Sequence, residues 1–203
     1  MKEGLIHELF RVPLYETQLD LDTKKLLTIC TKFRKDNKSR DMSNFGGYQA
    51  ILTSQHKEVK QLTKDILTHA QPFAENFIGD KKLWLGVGNI WLNINGHRHC
   101  NMSHSHPMAD ISGSYYVKTP KNSGQLIFQH PVIDVLNYYY YATGDKEMEL
   151  NNWNSRTWSF QPKENTLYLF PSWLKHVVTP NENETEERIS IAFNLQHIVN
   201  EVY

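Results

Sequence analysis

Three histidines and one arginine in the C-terminal half of the chain have the types and spacing needed to bind a metal ion and an organic anion. His104 and His106 are two residues apart, and alternate side chains of an extended segment point to the same side. His176 lies in a later strand-like run. Imidazole ligands that leave coordination positions open suit a transition metal such as Fe(II). Arg188, twelve residues after His176, could hold the carboxylate of an organic cosubstrate.

The second ligand of this candidate metal site is ambiguous, because a carboxylate follows the histidine pair closely. Asp110 lies four residues after His106. Two ligand sets are therefore open: three histidines, or a set in which Asp110 replaces one histidine of the pair. Replacing an anionic ligand by a neutral imidazole leaves the metal with more net positive charge. We favour the three-histidine set, because Asp110 abuts the strand predicted from Ile111 onwards.

Composition limits the class of protein. The chain has 203 residues and equal numbers of Lys+Arg and Asp+Glu, 22 each, so no net charge attracts nucleic acid or an anionic membrane. Cys30 and Cys100 are too few for a disulfide framework. The sequence has no apolar N-terminal signal segment and no run of eighteen apolar residues. These features predict a soluble, cytoplasmic protein with no nucleic-acid or membrane partner.

The first 80 residues predict a helical preface with an N-terminal strand. The strand is predicted over 6–18. Asp22 offers an N-cap for an amphipathic helix over about 23–35. Apolar residues spaced three and four apart predict a second helix over about 57–77, and Pro72 is expected to kink it or end its first segment.

After Gly79 the pattern changes to short β-type runs bounded by turn residues. About eight strands after a helical preface predict a mainly β fold, a double-stranded β-helix or jelly roll with α-helices packed against one sheet. We predict one domain over 1–203, with the preface over 1–80 and the jelly-roll core over 81–198. The predicted strands are 83–94, 111–118, 125–130, 137–141, 157–161, 166–170, 176–179 and 188–196.

The order of several short motifs resembles a known enzyme family. The motifs are His104-x-His106-Pro107, Ser112-Gly113-x-Tyr115-Tyr116-Val117, Phe170-Pro171, His176-Val177-Val178 and Arg188-Ile189-Ser190. Together they resemble the 2-oxoglutarate/Fe(II)-dependent oxygenase superfamily, and within it a branch of bacterial and phage oxygenases. The likeness covers about residues 83–196.

The resemblance implies roles for the candidate metal ligands. The first metal histidine of the superfamily falls on His104, and the distal histidine falls on His176. The usual second ligand is a carboxylate two residues after the first, and this chain has His106 there. The resemblance therefore leaves the same choice open, between a three-histidine site and a contribution from Asp110.

The resemblance also implies a binding site for 2-oxoglutarate. Arg188 would pair with the C5-carboxylate, and Ser190, on the same face of the strand, would add a hydroxyl donor. Tyr115 or Tyr116 resembles a tyrosine that often donates to that carboxylate. Because the two tyrosines alternate between the faces of a strand, at least one of them is expected to be plain packing.

The activity implied is hydroxylation with Fe(II), 2-oxoglutarate and O₂, in which the cosubstrate is oxidised to succinate and CO₂. By analogy with hydroxylases of this fold, the substrate would be a peptide or protein side chain, or a small metabolite.

Two other functions are compatible with parts of the pattern. A cupin-type dioxygenase with a three-histidine iron site needs no 2-oxoglutarate, and a non-catalytic jelly-roll binding module would keep only the fold. Arg188-x-Ser190 favours the 2-oxoglutarate enzyme, since a cupin dioxygenase has no need of an arginine there. His104 and His106 could also be exposed loop residues, and Arg188 a sheet-edge charge paired with the acidic loop before it.

Overall fold

The strands form two antiparallel sheets in a computed structural model that describes residues 5, 7, 9–40, 42–53, 55–137 and 150–198. The large sheet has six strands in the order β1-β9-β6-β11-β4-β3, and the small sheet has five in the order β2-β5-β10-β7-β8. This two-sheet architecture confirms the predicted jelly roll. The strands are β1 Tyr15–Gln18, β2 Asn44–Phe45, β3 Tyr48–Ile51, β4 Leu85–Asn95, β5 Cys100–His104, β6 Ile111–Lys118, β7 Leu126–Gln129, β8 Thr157–Phe160, β9 Thr166–Pro171, β10 His176–Val178 and β11 Arg188–His197.

Two helices, α1 over Thr23–Asp36 and α2 over Lys57–Ile78, pack against one face of the large sheet. The Asp22 side chain caps α1 by accepting a hydrogen bond from the Lys25 N–H at 3.1 Å, as predicted. α2 ends at Gly79 in the left-handed conformation, with φ of 82°. The two helices and alternate residues of the large sheet share one apolar core. Within the described residues, no helix is long and apolar enough to span a membrane.

Pro72 does not end α2, so that part of the prediction was wrong. The helix runs through it from Lys57 to Ile78. A proline inside a helix removes one backbone donor and normally destabilises the helix. Ala70 and Ala74, which flank Pro72, are fully buried against the sheet, and this packing offsets the lost hydrogen bond.

Three strands were missed and two predicted strands need correction. The missed strands β2, β3 and β5 are short and rich in polar residues, and β5 reads Cys-Asn-Met-Ser-His. Among the described residues of the predicted strand over 6–18, only the last four form a strand, β1. The predicted strand over 137–141 lies outside the described residues except Asn137, which belongs to a helical turn over 133–137.

The second face of the large sheet lies toward the small sheet, and a second cluster of buried residues fills the space between them. It consists of Tyr116, Leu126, Phe128, Tyr168, Phe170 and Leu174. Along β11, Ile189, Ile191, Phe193 and Leu195 belong to the helix-side core. Side chains of a strand alternate between its faces, so Arg188 and Ser190 point into the space between the sheets.

Gly113 of β6 tests how tightly the large sheet is packed. A Cβ added there would contact the Phe193 ring and lie 2.5 Å from the Tyr168 carbonyl oxygen. We expect Gly113→Ala to lower the free energy of unfolding by about 1–3 kcal/mol, because neither neighbour can move freely. Thermal unfolding measures this loss. Gly88→Ala is the control, since its Cβ would meet only the flexible Gln196 side chain; an equal loss in both variants would contradict the packing argument.

Candidate active site

His104, His106 and His176 meet between the two sheets. His104 ends β5, His176 begins β10, and the two residues are directly paired in the antiparallel ladder. His106 follows β5 by two residues. The ring centroids are 4.5 Å apart for His104 and His176, 4.8 Å for His104 and His106, and 5.1 Å for His106 and His176. One ligand atom from each residue lies within 4.8 Å of the others.

Main-chain carbonyls orient two of these rings. His104 Nδ1 lies 2.6 Å from the Met102 carbonyl oxygen, and His176 Nδ1 lies 2.9 Å from the Leu174 carbonyl oxygen. A carbonyl only accepts hydrogen bonds, so each Nδ1 carries the proton and each Nε2 keeps its lone pair. This is the arrangement by which proteins usually fix a metal-binding histidine.

Burial keeps the three imidazoles neutral. Desolvation lowers the pKa of His104, lowers that of His106 to about 4 and lowers that of His176 to about 3; the neighbouring His104 contributes to the last two shifts. Metal binding requires a ligand nitrogen without a proton. Because these imidazoles are neutral at neutral pH, metal binding would not have to displace a proton from them. Three neutral nitrogen donors in one cluster, of which His176 is buried and the other two are partly buried, fit a divalent iron.

Ser172, in the loop before β10, holds the segment that carries His106. Its carbonyl oxygen accepts a hydrogen bond from the His106 N–H at 2.8 Å, and its own N–H donates to the Asp110 carbonyl oxygen at 3.2 Å. Its hydroxyl donates to the carbonyl oxygen of Ala109. The loop that leads to His176 is thereby bound to the loop that carries His106.

The Asp110 carboxylate points away from the histidines. Asp110 Oδ2 accepts a hydrogen bond from the His197 N–H at 2.6 Å and lies 2.9 Å from His197 Nδ1. Among the described residues, the metal-type cluster at this place contains only the three histidines. Asp110 therefore anchors the loop after β5 to the end of β11, and the structure does not bring it to the candidate ligands.

Arg188 is a buried cation in the space between the sheets, with 1% of its surface exposed. Its Nη1 donates to the carbonyl oxygens of Ser123 and, at 3.1 Å, Thr179. Its Nη2 is buried and has no hydrogen-bond partner within the described part of the chain. Burial lowers the pKa of Arg188, while the nearby Tyr116 favours the charged form. A buried donor without a partner is costly, so an acceptor brought by a ligand would be bound favourably here.

The structure separates the two candidate tyrosines. Tyr116 lies in the cluster between the sheets, opposite Ser190 in the ladder, and interacts electrostatically with Arg188. Tyr115 lies in the helix-side core, and its hydroxyl donates to Asn165 Oδ1 at 2.5 Å. Ser190 and Tyr116 therefore lie on the same face of the large sheet as Arg188, whereas Tyr115 packs on the opposite face.

The sequence interpretation missed a group of buried amides beside these residues. Asn44 and Asn101 donate to Asn93 Oδ1 at 3.4 and 3.5 Å, and Asn95 donates to Asn44 Oδ1 at 2.9 Å. Asn93 faces Ser190 across the β4–β11 ladder. The alternation of apolar and amide residues over Trp91–Asn95 could have indicated that these amides point inward. We read it only as a strand.

The match to a protein-family model decides the class of this protein. The model described as "Putative 2OG-Fe(II) oxygenase" matches residues 89–194, more than half of the chain. The chain belongs to the 2OG-Fe(II) oxygenase family. The protein is a 2-oxoglutarate-dependent dioxygenase that uses Fe(II) and O₂. This class is the first of the three functions considered from the sequence. A search of the curated proteins gave no match.

Solved structures share the fold of this oxygenase at low sequence identity. A Pseudomonas putida prolyl-4-hydroxylase is 12% identical, with TM-score 0.63, over 91% of this chain and 93% of that one. A Trichoplax adhaerens prolyl hydroxylase in complex with a hypoxia inducible factor peptide fragment is 14% identical, with TM-score 0.62, over 91% and 83%. The epimerase SnoN from nogalamycin biosynthesis is 12% identical, with TM-score 0.65, over 92% and 79%.

Single substitutions can decide the ligand set of the oxygenase. We expect His176→Ala and His106→Ala to weaken Fe(II) binding by more than the roughly 10–100-fold lost with an outer partner of a ligand. Asp110→Ala should cost less, because it loosens only a loop anchor. Anaerobic Fe(II) titration of the folded variants measures these affinities. A larger loss for Asp110→Ala than for His106→Ala would assign the carboxylate as the ligand.

Proposed function

We propose that His104, His106 and His176 hold the iron of this oxygenase, and that Arg188 binds the distal carboxylate of 2-oxoglutarate with Ser190 and Tyr116 beside it. The observation that carries this proposal is the buried guanidinium of Arg188, whose Nη2 has no partner among the described residues. A planar guanidinium matches a carboxylate through two parallel hydrogen bonds, which an ammonium group cannot do.

The ion pairs of the acidic loop before β11 argue against a purely structural role for Arg188. The acidic loop before β11 has other partners: Glu187 pairs with Arg34 at 2.6 Å, and Glu186 pairs with Lys118 at 3.0 Å. No salt bridge in the described parts of the chain includes Arg188. The cation is desolvated without a protein anion, which is costly unless a ligand supplies the anion.

Protein residues around the proposed iron site hold the ligands and exclude water. Phe170 and Phe128 pack against His176, with ring centroids at 4.7 and 6.0 Å, and Trp91 packs against His106 at 5.5 Å. When bound, Fe(II) and 2-oxoglutarate supply the activation of O₂ for hydroxylation of a substrate C–H bond, with succinate and CO₂ as coproducts. The aromatic rings leave the imidazoles little room to rotate, which keeps the donor set preorganised.

The substrate we propose is a side chain of a peptide or protein. A groove of about 690 Å³ lies between the N-terminal segment and the small sheet, and aromatic residues such as Trp153, Trp158 and Phe160 line it. Phe128 and Leu174 line this groove and also contact His176. The Phe128 ring packs against the imidazole, and the Leu174 carbonyl oxygen is hydrogen-bonded to its Nδ1. The groove therefore adjoins the proposed iron site. Its volume also suits a small metabolite, which is our second candidate.

Two broader expectations from the sequence stay predictions. We propose a single domain over 1–203, supported by the core that the helices of the preface share with the large sheet. A cytoplasmic location is supported only by the two cysteines, Cys30 and Cys100, which are unpaired.

Binding of 2-oxoglutarate tests the proposed site. A metal-to-ligand charge-transfer band should appear on anaerobic titration only when Fe(II) and 2-oxoglutarate are both present. Arg188→Lys should weaken 2-oxoglutarate binding about ten- to hundredfold, because it loses a charge-assisted hydrogen bond of about 1.5–3 kcal/mol. Fe(II) affinity without cosubstrate should stay the same. Arg34→Lys, at a half-exposed ion pair, is the matched control; unchanged 2-oxoglutarate affinity in Arg188→Lys would refute the assignment.

The groove is tested through Trp158. Once succinate release against a panel of peptides and metabolites has given a substrate, Trp158→Ala should raise its KM about two- to tenfold by removing an aromatic contact. Affinity for 2-oxoglutarate should not change. Trp84→Ala is the control, because Trp84 is similarly exposed and does not line the groove. An equal KM for both variants and the unmodified protein would place the substrate elsewhere.

A further inference from the structure

The turn at Ser123 and Gly124, in the loop between β6 and β7, lies directly against the Arg188 guanidinium. The Ser123 carbonyl oxygen accepts a hydrogen bond from Arg188 Nη1. Gly124 has a φ of 87°, and a Cβ added there would lie 2.7 Å from Arg188 Nη1 and 2.7 Å from the Pro180 carbonyl oxygen. Glycine is therefore required at this position, both for its backbone conformation and for the close approach.

The side chain of Ser123 is also buried without a partner. The residue has 0% of its surface exposed, and in the described ranges its Oγ makes no hydrogen bond. Only four buried side-chain atoms of the described residues share this property, and two of them belong to Ser123 and Arg188, which contact each other. Native proteins rarely leave such groups in two residues that contact each other, here through the Ser123 carbonyl oxygen and Arg188 Nη1, because each group loses its hydration without compensation.

The two groups without partners can both donate hydrogen bonds, so one anionic ligand could accept from both. Arg188 Nη2 can only donate a hydrogen bond, and a serine hydroxyl can donate one by rotating. Both could therefore donate to the two oxygens of one carboxylate. No acidic side chain of the described residues occupies this place, since the neighbouring Glu186 and Glu187 pair elsewhere.

We propose that Ser123 is a further cosubstrate-binding residue, whose hydroxyl donates to the carboxylate held by Arg188. The inference rests on the proposed function, because it takes the carboxylate at Arg188 to be the distal one of 2-oxoglutarate. It adds Ser123, a residue to which the sequence motifs assign no role.

Ser123→Ala tests the proposal through binding and stability, without turnover. Calorimetric titration of the Mn(II)-loaded protein should show 2-oxoglutarate binding weakened about tenfold, as for a lost hydrogen bond to a charged group. Thermal unfolding of the ligand-free variant should occur at the same or a higher temperature, because the substitution removes a buried hydroxyl without a partner. Ser159→Ala, on the exposed face of β8, is the matched control and should change neither quantity.

A cosubstrate analogue separates binding of the carboxylate from a general effect on the pocket. 2-Oxopentanoate has the carbon chain of 2-oxoglutarate without the distal carboxylate, so Ser123→Ala should leave its affinity unchanged. Equal weakening of both ligands, or a less stable ligand-free protein, would make Ser123 structural and overturn the proposal. Unchanged 2-oxoglutarate binding in Ser123→Ala, with weakened binding in Arg188→Lys, would also overturn it and leave the proposed function intact. If the unmodified protein does not bind 2-oxoglutarate, both proposals fall.

Discussion

The antiparallel pairing of β10 with β5 is the constraint on which the candidate iron site depends. It sets His176 directly opposite His104, although the two are far apart in the sequence. The segment after β5 then brings His106 to the same place, and hydrogen bonds to Ser172 keep it there. A shift of one residue in this register would turn a histidine to the other face of the small sheet, so the arrangement of the candidate metal ligands depends on this strand pairing.

The fold and most residues of the candidate site could be predicted from the sequence, because both depend on local pattern. The alternation along β11 placed Arg188 and Ser190 on one face, and the same rule left one of Tyr115 and Tyr116 for packing. β5 was not predicted, because it is short and rich in polar residues and its pairing is supplied by distant strands.

The direction of the Asp110 side chain could not be predicted from the sequence either. It depends on a hydrogen bond to His197, 87 residues away, which no spacing indicates. The partners of Arg188 show the same limit. They are the main-chain carbonyl oxygens of Ser123 and Thr179. Every residue has such a carbonyl, so no sequence motif can indicate which one will bind Arg188. Sequence patterns thus indicated the candidate side chains, while the groups that orient them became visible only in the structure.

Main-chain carbonyls orient both halves of the candidate site, and this has an electrostatic consequence. The carbonyls of Met102 and Leu174 fix two imidazoles without adding an anion, as a carboxylate would. With the three neutral ligands proposed, a bound Fe(II) would keep its full positive charge in a space that already contains the Arg188 cation. In the proposed site, the dianionic cosubstrate would offset two of these three positive charges. Binding of metal and of 2-oxoglutarate should therefore be mutually reinforcing, since any gain in affinity that one gives the other is reciprocal.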